Sequence, residues 1–240
     1  MKQWNGLMRK EWLAMKGWFY GSLIMLLIAI LFLLLASSEE LSVRELLSIF
    51  STLWIVFSVV LPTMILLVSL NKEMHRPDIW LHSTAPTVKL FGVKMVFASI
   101  IGFVNILFPF IIFLIVSKFS AVIVIMSFLL AIFSMCIGLF LGVLYQLLKP
   151  VVKGFSGPIV VMIFLFLSWL QARLAESAIY TKITYFGRLN QEVAYDIQKE
   201  SFSFEFASME IHTGELIIDT TLAVLFFIAA TTLFDKKVRL

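Results

Sequence analysis

Long apolar runs, separated by short polar segments, are the feature that most constrains how this chain folds. Of the 240 residues, 61% are hydrophobic and only 14% are charged, whereas an average globular domain is about half apolar and about a quarter charged. Each helical crossing of a bilayer needs about 20 residues that are mostly apolar. The sequence therefore predicts an all-α integral membrane protein, with one transmembrane domain over residues 1–240 and six transmembrane helices.

The six predicted crossings follow the apolar runs in order. They cover approximately residues 19–36, 46–70, 92–117, 120–148, 158–171 and 214–234. The fifth run is short for a full crossing. Two longer polar segments interrupt the series, residues 71–91 and residues 172–213. Neither segment is suited to hydrocarbon, because its charged side chains and turn residues need water or protein partners.

Residues 2–18 precede the first crossing and have a pattern of their own. Trp, Leu and Met residues recur there at helical spacing, while the other side is cationic, with Lys2, Arg9, Lys10 and Lys16. This pattern is typical of an amphipathic helix that lies in the headgroup layer. We predict an N-terminal interfacial helix over residues 2–18, and a simple cytosolic extension of the first crossing is the alternative.

The positive charges divide unequally between the two sides that six crossings define. Thirteen fall on the side of the termini, namely Lys2, Arg9, Lys10, Lys16, Lys72, Arg76, Lys89, Lys94, Lys149, Lys153, Lys236, Lys237 and Arg239. Six fall on the other side, namely Arg44, Lys118, Arg173, Lys182, Arg188 and Lys199. The positive-inside rule then places both termini and the 71–91 loop in the cytoplasm and the 172–213 loop outside the cell. We expect the plasma membrane of a bacterial cell, and no nucleic-acid partner, since the charges sort by membrane side.

Signatures of catalysis and of nucleotide binding are missing from the sequence. It contains no GxxxxGK[ST], no HExxH and no GxSxG. The three histidines, His75, His82 and His212, are too scattered to indicate a metal site. The single cysteine, Cys136, lies in an apolar run and is expected to be a small packing residue. We therefore predict no enzyme, and no catalytic, cofactor-binding or metal site in this chain.

A few polar and small residues lie inside the predicted crossings. Gly138 and Gly142 have the four-residue spacing that lets two helices approach closely. Asn105 is uncharged and suits either a hydrogen bond between helices or a substrate contact. Glu215 and Asp219 lie one turn apart at the outer end of the last crossing, and Glu215 is expected at the membrane boundary. We predict that Asn105, Gly138, Gly142 and Asp219 line a translocation path or pair helices.

The segment between the second and third crossings and the start of the chain carry a recognisable order of residues. Glu73 leads the segment, Leu81 to Pro86 form a turn rich in small residues, and Gly92-Val93-Lys94 enters the next crossing. The chain begins with Leu7-Met8-Arg9-Lys10-Glu11-Trp12. These stretches resemble the coupling helix and the N-terminal elbow helix of ABC exporter permeases of the type-2 family. The resemblance extends over the whole chain in the number of crossings and the placement of loops.

The resemblance implies a function. It implies the membrane-spanning permease subunit of an ATP-driven ABC exporter, which moves a hydrophobic or amphipathic substrate (peptide, drug or lipid) out of the cell. Two such subunits, in a homodimer or in a heterodimer with a second permease, would lie in membrane lipid and bind separate ABC ATPase subunits that hold ATP and Mg²⁺. The residues that would couple to the ATPase are Glu73, Arg76, Asp78, Trp80, Leu81, Pro86, Arg9 and Glu11.

Two other classes of protein stay open at this point. A membrane-embedded enzyme would need clustered acids or histidines in its crossings, and the sequence offers only Asp219 and Glu215. A non-transporting immunity or assembly protein would bind a peptide or a lipid through its outer loop. Binding of an ABC ATPase would distinguish an exporter from both of these classes.

Overall fold

The structure, a computed structural model, describes residues 2–35, 43–74, 86–116, 121–189, 195–199, 202–206 and 211–238. Helices dominate this part of the chain: α1 Lys2–Leu35, α2 Val43–Met74, α3 Thr87–Val116, α4 Ala121–Val152, α5 Ser156–Ala175, α6 Ala178–Thr184 and α7 Thr213–Val238. A 3-10 turn, Lys153–Phe155, joins α4 to α5. Four short strands follow α6: β1 Arg188–Leu189, β2 Tyr195–Lys199, β3 Phe202–Phe206 and β4 Ile211–His212.

The strands form two separate antiparallel ladders. β1 pairs with β4, with Arg188 opposite His212. β2 pairs with β3, with Tyr195 opposite Phe206 and Lys199 opposite Phe202. The segment predicted as a loop over residues 172–213 thus contains the end of α5, the short helix α6 and these strands.

Five helical stretches in the described residues are long and apolar enough to cross a membrane. They are Trp4–Leu35, Ile49–Met74, Thr87–Ile112, Val124–Ala175 and Thr213–Lys236. The fourth stretch has 52 residues and contains both α4 and α5, with the 3-10 turn between them. The chain is therefore a helical, multi-pass membrane protein.

Helix α2 lies at the centre of the bundle and packs against α1, α3 and α4. The ring of its Pro62 fills the place where a Cβ would be on Gly102 of α3. The methyl group of Thr63 does the same at Gly138 of α4. Two glycines on different helices therefore let α3 and α4 approach α2 more closely than larger residues would allow.

One end of the bundle gathers the ends of five helices. Lys10 of α1 forms an ion pair with Glu73 of α2, and Thr87 of α3 donates a hydrogen bond to Asp235 of α7. Helix α4 also ends here, where its Gln146 contacts α2. We call this the basic end, because its described cationic residues are Arg9, Lys10, Lys72, Lys89, Lys94, Lys149, Lys153 and Lys236.

Helix α1 differs from the prediction of an interfacial helix over residues 2–18 followed by a crossing over 19–36. It is one continuous helix, Lys2–Leu35. The sequence has no proline in this stretch, and Gly17 and Gly21 have open space around them, so nothing breaks the hydrogen-bonded backbone. Its 34 residues span about 51 Å, more than the roughly 30 Å of hydrocarbon in a bilayer.

The ends of the other helices also differ from the prediction. Helix α2 continues to Met74 and α3 begins at Thr87, so the first and last residues of the predicted 71–91 loop are helical. Residues 75–85, which include Arg76, Asp78, Trp80 and Leu81, lie outside the described residues. Helix α5 has 20 residues, against the fourteen predicted over 158–171. The extra residues include Ser156 and Arg173, which a helix accepts although they are not apolar.

Candidate functional site

A buried network of charged side chains lies near the basic end and joins three helices. The ammonium group of Lys94 on α3 lies 2.7 Å from Glu11 Oε1 of α1 and 3.1 Å from Glu73 Oε2 of α2. It also donates a hydrogen bond to Ser69 Oγ, 2.5 Å away, and Ser69 in turn donates to Glu11 Oε2 over 3.0 Å. Lys10 completes the network through Glu73 Oε1 at 2.5 Å. We call these five residues the ion network.

Helix geometry explains why these residues meet. Ser69 and Glu73 are four residues apart on α2, so they lie on one face, one turn above the other. Helix α3 runs antiparallel to α2, which brings Lys94 to the level of Ser69 while Asn105 lies at the level of Ser58. The first turns of α1 pass beside this pair and contribute Glu11.

The balance of charge allows this network to be buried. The Lys94 side chain is only 3% exposed, and those of Glu11 and Glu73 are 6% and 13% exposed, while that of Lys10 is 44% exposed. An unpaired charge in such a place would cost several kcal/mol, on the order of the stability of a domain. Here two ammonium groups face two carboxylates, so the formal charges cancel. The network is therefore a specific connection between α1, α2 and α3.

Apolar contacts around the network extend it to the last helix. Phe91 of α3 packs edge-on against Phe234 of α7, with ring centroids 5.1 Å apart. Both side chains are fully buried, and Met15 and Leu70 belong to the same core cluster. Together with the Thr87 to Asp235 hydrogen bond, this core attaches the end of α7 to the start of α3.

The structure brings together two of the predicted coupling residues, Glu73 and Glu11, through Lys94. The side chain of Arg9 is exposed, and so is Pro86, whose carbonyl accepts hydrogen bonds from the backbone N–H groups of Lys89 and Leu90 and begins α3. The prediction for Arg76, Asp78, Trp80 and Leu81 falls outside the described residues.

Sequence reasoning had missed the roles of Ser69 and Lys10. The four-residue spacing of Ser69 and Glu73 at the end of a crossing was the signal that could have identified Ser69.

A second feature is a cleft of about 870 Å³ between α2, α4 and α5. Both α2 and α4 run in the same direction along it, since Thr63 lies beside Ser134 and Asn71 beside Gln146. The lining residues are Thr63, Leu67, Val68, Leu70, Asn71, Phe133, Ser134, Ile137, Gly138, Leu141, Gly142, Tyr145, Gln146, Gly157, Val160, Val161, Phe164, Ser168 and Gln171. Of the predicted path residues, Gly138 and Gly142 line this cleft, whereas Asn105 and Asp219 do not.

Asn105 lies at the contact of three helices. Its side-chain amide donates to Ser22 Oγ of α1 at 3.1 Å and to the carbonyl of Ile101 at 2.9 Å. The hydroxyl of Ser58 on α2 donates to the backbone carbonyl of Asn105 at 3.2 Å. The side chain is fully buried. The sequence left two roles open for Asn105, helix pairing and a substrate contact. These contacts favour helix pairing.

Asp219 and Glu215 lie near the start of α7, at the end of the bundle opposite the basic end. Their negative charges act on Tyr180 of α6. Burial, and after it the negative charges of Asp219 and Glu215, raise the pKa of the Tyr180 hydroxyl above its ordinary value. The two acids therefore act on a side chain of α6 through their charges, and Asp219 is half-buried.

The raised pKa of Tyr180 predicts how stability changes at alkaline pH. A folded-state pKa above the unfolded value means that the neutral phenol favours folding. This contribution is complete below about pH 10 and is lost as the pH rises through the folded-state pKa. We expect the alkaline fall in melting temperature to be smaller in Tyr180→Phe than in the unchanged chain. Tyr185→Phe is the matched control, since Tyr185 is 64% exposed, and its melting temperature should fall as much as that of the unchanged chain. The same dependence of melting temperature on pH in all three proteins would contradict the assignment.

Within the described residues, no group of three or more His, Cys, Asp or Glu side chains is placed to hold a metal ion. Comparison of the chain with protein-family models, with curated proteins and with solved structures gave no match.

Proposed function

We propose that this chain is the membrane-spanning permease subunit of an ATP-driven exporter, with six crossings and both termini in the cytoplasm. The observation that carries the proposal is the ion network. It joins Lys10 and Glu11 at the start of α1, Glu73 at the end of α2 and Lys94 at the start of α3. These are the three places where the sequence resembles type-2 ABC exporter permeases.

The six proposed crossings are α1, α2, α3, α4, α5 and α7. The 52-residue apolar stretch supplies two of them, because the 3-10 turn lies between α4 and α5 at the basic end. The basic end then faces the cytoplasm, in keeping with the positive-inside rule. The segment from α6 to β4 would lie outside the cell.

The ion network suggests how force would enter the membrane. A soluble ATPase that moves against the segment between α2 and α3 would push on the ends of both helices. Because Lys94 is paired with Glu11 and Glu73, the start of α1 would move with them as one body, as packed helices do in rigid-body transitions. The contacts of α3 with α7 would carry the movement to the last crossing. ATP and Mg²⁺ would be held by the ATPase chain.

The proposal is tested by purifying the tagged chain from its native membrane in mild detergent and identifying its partners by mass spectrometry. We expect an ABC-type ATPase subunit to co-purify, with ATPase activity that depends on the permease. Finding no such subunit, under conditions where the permease stays folded, would rule the exporter function out.

The coupling segment is tested by the variant Trp80→Ala. The sequence predicts that Trp80 anchors the contact with the ATPase, and truncating an aromatic residue at a hot spot of an interface costs about 2 kcal/mol or more, equivalent to about thirtyfold in affinity. We expect less co-purified ATPase and lower stimulated activity. Trp169→Ala is the control, because Trp169 lies on α5 and is 55% exposed; if both variants retain the ATPase equally, residue 80 has no coupling role.

A further inference from the structure

The cleft between α2, α4 and α5 has one wall that is attached only loosely. Helix α5 packs mainly against α4, and most of its side chains are exposed. Along α4 the cleft extends from Phe133 to Gln146, a rise of about 20 Å. Its volume of about 870 Å³ falls in the range of roughly 300–1,000 Å³ that is usual for small-molecule sites.

The chemistry of the lining disfavours a charged group inside the cleft. Of the described residues that line the cleft, none is Asp, Glu, Lys, Arg or His. An ionised group in an apolar, membrane-embedded site needs a partner of opposite charge, because its desolvation is otherwise too costly. The cleft offers no such partner in its described lining. An occupant with a phosphate, a carboxylate or an ammonium group inside the cleft is therefore disfavoured.

Uncharged hydrogen-bonding groups are nevertheless present, and three of them gather at the basic end. They are Asn71, Tyr145 and Gln146, and the amide of Gln146 lies 3.4 Å from the side-chain oxygen of Asn71. From there toward the other end the walls are mainly apolar, with Leu67, Ile137, Leu141, Phe133 and Phe164. Four polar residues also line this part, but the hydroxyls of Thr63 and Ser134 bond each other, that of Ser168 donates to the carbonyl of Phe164, and Gln171 is exposed. The cleft thus has a polar, uncharged end and a long apolar body.

The cleft is elongated along α4 and lies between three helices. A flexible chain of hydrocarbon fits this elongated shape.

We propose that this cleft binds one amphiphile with a hydrocarbon chain and an uncharged, hydrogen-bonding headgroup, of the chemical class of a monoacylglycerol. The headgroup lies at Asn71, Tyr145 and Gln146, and the chain lies along α4 toward Phe133. As the site of the exported substrate, this assignment rests on the proposed function. The binding itself requires no ATPase and is measured without one.

The test uses the purified full chain in mild detergent and two photoactivatable probes with the same acyl chain. One is a monoacylglycerol and the other is the matching lysophosphatidate, which carries a charged phosphate. We expect saturable labelling of peptides from α4 and α5 by the neutral probe, competed by unlabelled monoacylglycerol. Labelling by the charged probe at the same concentration should be at most about one tenth of the labelling by the neutral probe.

Variants on α4 and α5 locate the site. Val161→Trp places a large ring in the cleft from a position that is 56% exposed, so folding should be retained while neutral-probe affinity falls about tenfold. Met162→Trp is the matched control, because Met162 is the next residue, is 69% exposed and does not line the cleft. A second variant, Gln146→Leu, should weaken the monoacylglycerol but leave the binding of a fatty-acid methyl ester unchanged. Melting temperatures confirm that each variant is folded.

Three results would overturn the proposal: equal labelling by both probes, equal effects of the two tryptophan variants, or a cross-link from residue 161 to a second copy of the chain. The last would assign the cleft to a contact between subunits. Loss of probe binding with intact ATPase stimulation would reject this site alone. Specific probe binding in a chain that recruits no ATPase would reject the export function alone.

Discussion

Replacing Lys94 with methionine is expected to lower the free energy of unfolding by about 3–5 kcal/mol, the usual cost of removing one partner from a buried ion pair. The ammonium group contacts Glu11, Glu73 and Ser69, and its side chain is only 3% exposed. Without it, two carboxylates remain near each other, and only the half-exposed Lys10 is left to balance them. The measurement is a denaturation titration of the purified protein in mixed micelles, read by tryptophan fluorescence.

Two further variants separate the network from a general effect of losing a lysine. Lys89→Met removes an exposed charge from the same helix and should change the stability by less than about 0.5 kcal/mol. The triple variant Glu11→Leu, Glu73→Leu, Lys94→Met removes the buried charges together and should recover most of the stability, since apolar replacements of whole buried ion pairs are often neutral or better. A Lys94→Met protein as stable as Lys89→Met would show that the network does not hold the helices together.

Replacing Gly102 with alanine is expected to destabilise the protein by about 1–3 kcal/mol, the usual cost of overpacking. An added Cβ would overlap the ring of Pro62 on α2. That ring is rigid, and its missing N–H already leaves the carbonyl of Ser58 without its usual helical donor. This overlap could be relieved only if α2 and α3 moved apart.

Gly92 provides the matched control for Gly102, because it lies on the same helix and has nothing within 4 Å of an added Cβ. Gly92→Ala should be neutral or stabilising by up to about 1 kcal/mol, since alanine is the better helix former. Thermal unfolding of the two variants measures the difference. If both behave alike, the close approach of α3 to Pro62 does not matter for stability.

The sequence predicted the helical membrane class well, because crossings depend on local composition. Each apolar run, such as residues 120–148, is recognisable without knowing its neighbours. Helix ends were less predictable. The continuity of α1 depends on whether a helix persists from a polar into an apolar stretch, and a change in composition at residue 18 does not require a change in backbone.

The candidate sites could be predicted only in part. The resemblance pointed to Glu11, Glu73 and the run that ends at Lys94, but not to their mutual contacts, which join residues as far as 83 positions apart. No local pattern encodes such a pairing. The cleft was harder still, because it arises from the space between α5 and its neighbours, and a sequence pattern describes surfaces but not the gaps between them.

The cancellation of formal charge in the ion network has an electrical consequence. A group of helices that carries one net charge across the full field of a membrane gains or loses about 2.3 kcal/mol for every 100 mV. The four charged groups here sum to zero, so a rigid displacement of the network along the membrane normal transfers no net charge. The network itself therefore adds no voltage dependence to the movement of the three helices that it joins.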